Sequence, residues 1–188
     1  MLNIFFYFFY FLSIILLMIG NNWGKNAWYF LHFSALNYNN INYRRVKYLD
    51  FYRNFINLIP CPVCKKHFTD NLNKLEYNLE NNINGDKIFN WTVDLHNEVN
   101  RMNNKEIVSY EKARIMYSKQ FDKKIVNKFV LQFIKYNSNK RNELNNFIKS
   151  VSAIYPEKSK RVLMNKHIVA GNNNFKKTLY LFLGISGK

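Results

Sequence analysis

Residues 59–64 read IPCPVC and join two predicted helices. Pro60 ends the first helix because the residue before a proline is pushed out of the helical region, and Pro62 suits the first turn of the second. Cys61 and Cys64 therefore lie one turn apart at a helix N-terminus, where unpaired backbone N–H groups and the helix dipole favour a thiolate. A cysteine pair in this position is suited to thiol–disulfide exchange.

Apolar residues on both sides of this segment recur at helical rather than alternating spacing. The positions that carry the pattern are Trp23, Ala27, Trp28, Leu31 and Ala35, then Leu49, Tyr52, Phe55, Ile56 and Ile59, then Ile88, Trp91, Leu95 and Val99. We expect two helices before the segment, a third over residues 62–79, a loop over 80–86, a fourth helix after the loop, and a short fifth over 113–121. No pair of strands is predicted, so the expected fold class is all-α.

The N-terminal end of the chain departs from this pattern. Residues 2–19 form an uncharged apolar run that is long enough for a slightly short membrane helix or for the core of a signal peptide. Because no Lys or Arg precedes the run and no small-residue cleavage pattern follows it, we expect an uncleaved anchor over residues 1–20. Positive charge lies only after the run, first at Lys25, so we expect the bulk of the chain on the cytoplasmic side. The folded domain is then expected over residues 21–121.

Residues 122–188 are expected to form a basic, mostly helical extension. This part of the chain carries 14 Lys and Arg against 3 Asp and Glu, whereas the residues before it carry 14 against 9. Amphipathic helices are predicted over residues 125–134 and 142–154, and the apolar residues 178–185 are too few to span a bilayer. The basic charge suits an anionic partner or a solvated helix face, and the extension is a candidate dimerisation surface, membrane-surface patch or docking site.

The cysteine pair alone leaves several interpretations open. Two buried, reduced and inert cysteines are one, because free cysteine is often buried. A zinc site is another, since the pair with His67 and His96 offers ligands that zinc accepts, although the spacing matches no common zinc finger. A thioredoxin- or glutaredoxin-like carrier is suggested by the C-P-x-C tetrapeptide, but that fold needs strands alternating with helices. The presence of only two cysteines excludes a framework of several disulfides.

Three blocks of sequence along the middle of the chain narrow these interpretations. Residues 23–38 follow the pattern W-G-x-x-x-W-x-x-L-H-x-x-A-x-x-Y, residues 60–64 read PCPVC after an aromatic-rich helix, and residues 91–100 follow W-x-x-x-L-H-N-x-V-N. In this order they resemble the Erv/ALR family of FAD-dependent sulfhydryl oxidases. The resemblance covers about residues 22–120. The three blocks together are a specific signature of the family, although each block alone is weak evidence for it.

The resemblance implies a four-helix bundle with a short fifth helix that binds FAD, with the flavin ring against Cys61 and Cys64. The expected cofactor-binding residues are Trp23, Gly24, Trp28, His32, Tyr38, Trp91, His96, Asn97, Val99, Asn100, Lys105 and Tyr117. Each of the two histidines in this set stands four residues from another member, so each such pair shares one helix face. His67 is a further candidate, as a modulator of the thiolate, and no metal is expected.

The same resemblance implies a reaction and partners. A substrate thiolate attacks Cys61, the outer sulfur, Cys64 is released as a thiolate towards the flavin, and dioxygen accepts the electrons and becomes hydrogen peroxide. Expected partners are protein dithiols or a thioredoxin-like carrier, dioxygen, and a second copy of the chain in a homodimer, with no specific nucleic acid. The expected location is membrane-associated, in the host cytoplasm or at a virion membrane, with the secretory pathway left open.

The chain departs from the family in its cysteine count. Many members have a second cysteine pair on a flexible tail and structural disulfides, whereas this chain has neither, and Val93 stands where many relatives have a cysteine. Substrate must therefore reach Cys61 directly or through a separate carrier, and stability must come from packing, flavin binding and dimerisation. In its low cysteine count the chain resembles the compact oxidases that large DNA viruses encode. The competing functions are a zinc-stabilised nucleic-acid-binding module and a membrane-anchored basic adaptor.

Overall fold

Every regular element in the described part of the chain, residues 23–38, 42–74, 78–83, 87–171 and 174–184 of this computed structural model, is an α-helix. The helices are α1 (Trp23–Leu36), α2 (Asn42–Leu58), α3 (Pro62–Leu72), α4 (Leu79–Asn82), α5 (Lys87–Met102), α6 (Tyr110–Tyr117), α7 (Lys123–Tyr136), α8 (Arg141–Ala153), α9 (Lys158–Val169) and α10 (Phe175–Leu183). Helices α1, α2, α3 and α5 are the four expected for the bundle, and α6 is the short fifth. The all-α class and the helical extension, α7 to α10, are therefore confirmed.

Two helix starts in the bundle follow from local capping. At α3, the Cys61 sulfur is the N-cap and accepts a hydrogen bond from the backbone N–H of Cys64 (3.2 Å), with Pro62 as the first helical residue. At α6, the Ser109 hydroxyl accepts from the backbone N–H of Lys112 at 3.2 Å. Both caps satisfy amide groups that have no partner inside the helix, which stabilises the first turn.

The structure corrects three predicted boundaries. The helix expected over residues 62–79 is α3, which stops at its C-cap Asn73, a residue type that favours helix ends. The expected loop over residues 80–86 begins inside the single helical turn α4. The helix expected over residues 113–121 is α6, which starts earlier because Ser109 caps it.

Two helices of the extension were predicted closely and one was not predicted. Helix α7 is the helix expected over residues 125–134. Helix α8 is the helix expected over residues 142–154. Helix α9 was not predicted because its apolar residues do not all lie on one face. Val162 and Leu163 are exposed, so the sequence lacks the amphipathic pattern that marks a surface helix. Helix α10 includes most of the apolar stretch 178–185, and it is only nine residues long.

An aromatic core continues from the bundle into the extension, because α7 packs on α1 and α8 packs on α2. Phe55 of α2 stacks on Phe133 of α7 with ring centroids 5.5 Å apart, and Phe133 stacks on Phe147 of α8 at 5.1 Å. Phe30 of α1 lies 5.8 Å from Phe129 of α7. All five rings are at most 2% exposed. The extension therefore supplies much of the apolar burial that stabilises α1 and α2.

Three long-range hydrogen bonds join the extension to the bundle. They run from the Asn26 amide to the Gln132 side chain (2.9 Å), from the Asp122 backbone N–H to the Tyr29 hydroxyl (2.7 Å), and from the Asn137 amide to the Leu58 carbonyl (2.9 Å). Because hydrogen bonds are directional and apolar contacts are not, these bonds fix how α7 is seated on the bundle.

The predicted membrane anchor, residues 1–20, lies outside the described residues. Among the helices that are described, none combines the length and the apolar character that crossing a bilayer requires. The expectation of an anchor therefore stays a prediction from the sequence.

Replacing Phe133 with alanine should destabilise the whole protein, because the ring is fully buried between α2 and α8. We expect a loss of about 3–5 kcal/mol in the free energy of unfolding, measured by urea denaturation. Leu131→Ala on the same helix is the control, since Leu131 is 45% exposed and should change stability by only about 0.5 kcal/mol. Equal effects of the two substitutions would contradict a core shared by bundle and extension.

Candidate active site

Cys61 and Cys64 form a disulfide at the start of α3, with their Cα atoms 5.1 Å apart. Cys61 is half-buried against the core, whereas Cys64 is exposed, as is Val63 between them. Lys65 and Lys66 follow directly and add positive charge beside the pair. The helix dipole and these charges lower the free energy of a thiolate once the disulfide is reduced.

Phe68 of the cysteine helix α3 faces an aromatic group on α1 and α5. It stands four residues after Cys64 and so points to the same side of α3. Its ring lies 6.3 Å from the Trp28 ring of α1. Trp28 in turn lies flat on His96 of α5, with ring centroids 4.1 Å apart and planes 4° from parallel. The fold therefore connects the cysteine helix to a stacked tryptophan–histidine pair.

His32, Thr92 and His96 form a hydrogen-bonded chain between α1 and α5. The Thr92 hydroxyl donates to the Phe89 carbonyl at 2.7 Å, so its oxygen accepts from Nδ1 of His32 at 2.9 Å. With its proton on Nδ1, His32 accepts at Nε2 from Nδ1 of His96, also at 2.9 Å. This bonding pattern assigns an unprotonated acceptor, Nε2 of His96, to the end of the chain.

Both imidazoles in this chain are neutral near pH 7. Burial lowers the pKa of His32 well below its usual range, and the neighbouring His96 adds to the effect. Burial also lowers the pKa of His96 to about 4, with repulsion from Lys105 as a second cause. The hydrogen-bonded chain requires a neutral His32, because His32 accepts at Nε2 and a protonated imidazole has no acceptor nitrogen.

Tyr117 of α6 packs against the same group. Its ring centroid lies 4.6 Å from that of His32, and burial raises the pKa of its hydroxyl to about 12. A small cavity of about 40 Å³ lies here, lined by His32, Val93, His96, Asn97, Val108, Ala113, Met116 and Tyr117. Met116 and Ile115 on α6 are at least half exposed, so the surface beside the cavity is apolar.

Asn97 and Asn100 hold the loop between α5 and α6. The Asn97 side chain donates to the Val108 carbonyl at 2.8 Å and accepts from the Val108 N–H at 3.0 Å. The Asn100 backbone carbonyl accepts from the N–H of Lys105 at 2.9 Å. Lys105 is exposed, yet it lies near enough to His96 to lower the pKa of that imidazole. The two asparagines thus shape the loop that brings a lysine to the site.

The structure brings some of the predicted site residues together and places others elsewhere. Those in or around the Thr92–His32–His96 chain are Trp28, His32, His96, Asn97, Asn100, Lys105 and Tyr117. Trp23, Tyr38 and Trp91 make edge-to-face contacts with core rings of other helices. Val99 is half-buried on α5, and a Cβ added at Gly24 would meet nothing within 4 Å. Their roles in binding a cofactor stay predictions.

Thr92 and the apolar lining of the cavity were not predicted from the sequence. Thr92 stands four residues before His96, so helical spacing alone places it on the same face and offered a signal. The lining residues Val108, Ala113 and Met116 come from the loop and from α6. Their position depends on how α6 packs against α1 and α5, which no local pattern encodes.

The residues weighed as alternative zinc ligands are not grouped as a zinc site. Cys61 and Cys64 are joined to each other, and His96 is bonded to His32. Over the residues whose structure is described, no three His, Cys, Asp or Glu side chains are arranged to hold a metal ion. His67 is half-buried on α3. The zinc alternative therefore has no support.

A larger cavity, of about 440 Å³, lies between α2, α8 and α9. Its charged lining residues are Lys47, Asp50, Lys149 and Arg161. Neither the disulfide nor the histidine chain lines it, so the candidate site remains at α1, α3, α5 and α6.

Comparison with known proteins points to one family. The model of the Erv1/Alr family matches residues 25–122. A probable FAD-linked sulfhydryl oxidase of Acanthamoeba polyphaga mimivirus is 31% identical over 98 residues, which are 51% of this chain and 68% of that protein. An FAD-linked sulfhydryl oxidase of African swine fever virus is 30% identical over 106 residues, 55% of this chain and 87% of that protein. A putative FAD-linked sulfhydryl oxidase of Frog virus 3 is 40% identical over 65 residues, 35% of this chain and 42% of that protein. No solved structure matches the chain.

Acid should destabilise the protein through His96. Its pKa is about 4 in the folded chain and about 6.5 in an unfolded one, so the unfolded chain binds more protons between these values. The stability due to neutral His96 is therefore complete above pH 6.5 and is lost as pH falls towards 4. Urea denaturation at pH 7 and pH 5 should show a smaller pH effect in His96→Gln than in the wild type. An NMR titration midpoint for His96 near its usual value would contradict this.

Proposed function

The chain belongs to the Erv1/Alr family, and on that basis we propose that it is an FAD-dependent sulfhydryl oxidase. It forms disulfides in protein substrates and passes the electrons of dithiols through Cys61–Cys64 and FAD to dioxygen, which becomes hydrogen peroxide. The observation that carries this proposal is a disulfide at a helix N-terminus, connected through Phe68 to a partly buried tryptophan–histidine stack. The relatives from three viruses are named as FAD-linked sulfhydryl oxidases.

The residues around the histidine chain fit FAD by their chemistry. Trp28 and Tyr117 offer ring faces on which a flat conjugated ring stacks, and Nε2 of His96 offers an acceptor for an N–H or O–H group. Lys105 offers a compact positive charge for a pyrophosphate. FAD, when bound, supplies acceptance of an electron pair from a dithiol and its transfer to dioxygen.

The remaining predicted residues would support this site from the bundle and the loop. We propose that Asn97 and Asn100 keep Lys105 in place through the hydrogen bonds of the loop. The other proposed contributors are Trp23, Gly24, Tyr38, Trp91 and Val99, which lie on or next to α1 and on α5.

The disulfide performs the exchange with substrate in two steps. A substrate thiolate attacks the Cys61 sulfur, a mixed disulfide forms, and Cys64 leaves as a thiolate. A second substrate thiolate then attacks the substrate sulfur of the mixed disulfide and expels Cys61. Two electrons and two protons have then passed from the substrate to the pair, and the substrate carries a new disulfide.

The start of α3 assists the second of these steps. As the N-cap, the Cys61 sulfur accepts a hydrogen bond from the backbone N–H of Cys64 at 3.2 Å. The same bond, with the helix dipole, stabilises Cys61 as the departing thiolate, and a more stable thiolate leaves faster. We propose from the family resemblance that Cys61 meets substrate and Cys64 meets the flavin. Burial does not support this order, because Cys61 is half-buried and Cys64 is exposed.

Partners and location are proposed from the same features. Substrates are protein dithiols, or a thioredoxin-like carrier that delivers their electrons, because the chain has no second cysteine pair to act as a shuttle. We propose a homodimer and attachment to a host or virion membrane through residues 1–20. Exposed apolar residues on α6, Ile115 and Met116, offer a surface for a protein partner.

Replacing either cysteine should abolish oxygen consumption driven by dithiothreitol while FAD stays bound, because exchange needs both sulfurs. Cys61→Ser should gain a long-wavelength absorption band from a Cys64 thiolate beside the flavin, and Cys64→Ser should lack it. Val169→Ala, on an exposed position of α9, is the control and should keep full activity. Normal oxygen consumption in either cysteine variant would remove the pair from the active site, and a band in Cys64→Ser alone would reverse the order of the two sulfurs.

A further inference from the structure

The two prolines between α2 and α3 leave backbone carbonyls without their helical donors. In an α-helix the carbonyl of residue i accepts from the N–H of residue i+4. For Ile56 and Leu58 these positions are Pro60 and Pro62, which have no N–H. Ile56 accepts instead from the N–H of Ile59 at 3.4 Å. Leu58 is fully buried, so its carbonyl needs a donor from the protein.

Asn137, the C-cap of α7, supplies that donor. Its Nδ2 lies 2.9 Å from the Leu58 oxygen and 3.0 Å from the Phe133 oxygen. Its backbone N–H donates to the Phe133 carbonyl at 3.1 Å, and its own carbonyl accepts from the N–H of Lys140 at 2.8 Å. Asn137 is only 5% exposed. A buried amide of the extension, held in place by its own hydrogen bonds, thus supplies the missing donor at the C-terminal end of α2, the helix that precedes the cysteines.

The segment that joins α2 to α3 is also held by hydrogen bonds from α3. The Lys65 ammonium donates to the Asn57 carbonyl at 3.4 Å, and the Lys65 backbone N–H donates to the Cys61 carbonyl at 2.8 Å. Cys61 therefore lies between two attachments to the last turn of α2, one from α3 and one from Asn137. Only the second comes from outside the family match, which ends at residue 122.

We infer that Asn137 is a positioning residue for the redox pair. By holding Leu58, it fixes the short segment 59–61 and keeps the Cys61 sulfur beside Cys64. Once the pair is reduced, this fixed backbone maintains a high effective concentration of one thiol at the other, which favours re-formation of the disulfide. Without the Asn137 amide the reduced pair gains freedom, so the disulfide becomes easier to reduce. This inference rests on the proposed role of the pair in thiol exchange.

The exchange equilibrium with glutathione tests this directly. The full chain is equilibrated without oxygen in mixtures of reduced and oxidised glutathione, and the free thiols of Cys61 and Cys64 are alkylated and counted. The reaction converts the protein disulfide and two glutathione thiols into the protein dithiol and glutathione disulfide. Asn137→Leu keeps a similar volume and removes the donor, and it should raise the equilibrium constant for reduction by roughly threefold, equivalent to about 14 mV.

Gln132→Ala is the matched control, because it removes another hydrogen bond between α7 and the bundle, the one from Asn26 of α1, and leaves the segment between α2 and α3 untouched. It should leave the equilibrium constant unchanged. Asn137→Ala replaces Asn137→Leu if the latter does not fold, with the same expected shift. An unchanged constant in the Asn137 variant, or an equal shift in Gln132→Ala, would overturn the inference. A wild-type chain without flavin or oxygen uptake would instead overturn the proposed function, and the exchange constants would still be measurable.

Discussion

The break between α2 and α3 is the constraint on which the rest of the site depends. Pro60 and Pro62 end one helix and start the next within three residues, and this places Cys61 at the N-cap of α3. The position provides a backbone donor for its sulfur and a helix dipole for its thiolate. It also leaves the last carbonyls of α2 in need of new partners. The two prolines thus place Cys61 where its thiolate is stabilised, and they leave carbonyls of α2 that need hydrogen-bond donors from elsewhere in the chain.

That support comes from the extension, which is a structural part of the protein rather than a tail. The rings of α7 and α8 continue the aromatic core of α1 and α2, and Phe133 of α7 lies between Phe55 of α2 and Phe147 of α8. Burial on this scale keeps α1 rigid, and α1 carries Trp28 and His32. The histidine chain needs a rigid α1, because both ring nitrogens of His32 must stay aligned with their hydrogen-bond partners on α5.

Local sequence signals predict the elements and the chemistry of this site better than its assembly. The prolines, the cysteine spacing and the periodicity of apolar residues are local, and they predict the all-α class and the start of α3 correctly. The Thr92–His32–His96 chain joins His32 to residues 60 or more positions away, and only the packing of α1 on α5 creates it. Motif patterns predict Trp91 as a cofactor contact, and its ring lies edge-on to Tyr52 in the core; its role in binding a cofactor stays a prediction. The apolar period of a helix does not distinguish a core ring from one at a binding site.

The central claim is that this chain oxidises thiols with a bound flavin. The most direct measurement is the absorbance spectrum of the purified protein, followed by its oxygen uptake when dithiothreitol is added. We expect a flavin spectrum that bleaches with dithiothreitol in the absence of oxygen, and hydrogen peroxide formed in step with dithiol oxidation when oxygen is present. A colourless protein, or a yellow one that neither bleaches nor consumes oxygen, would contradict it.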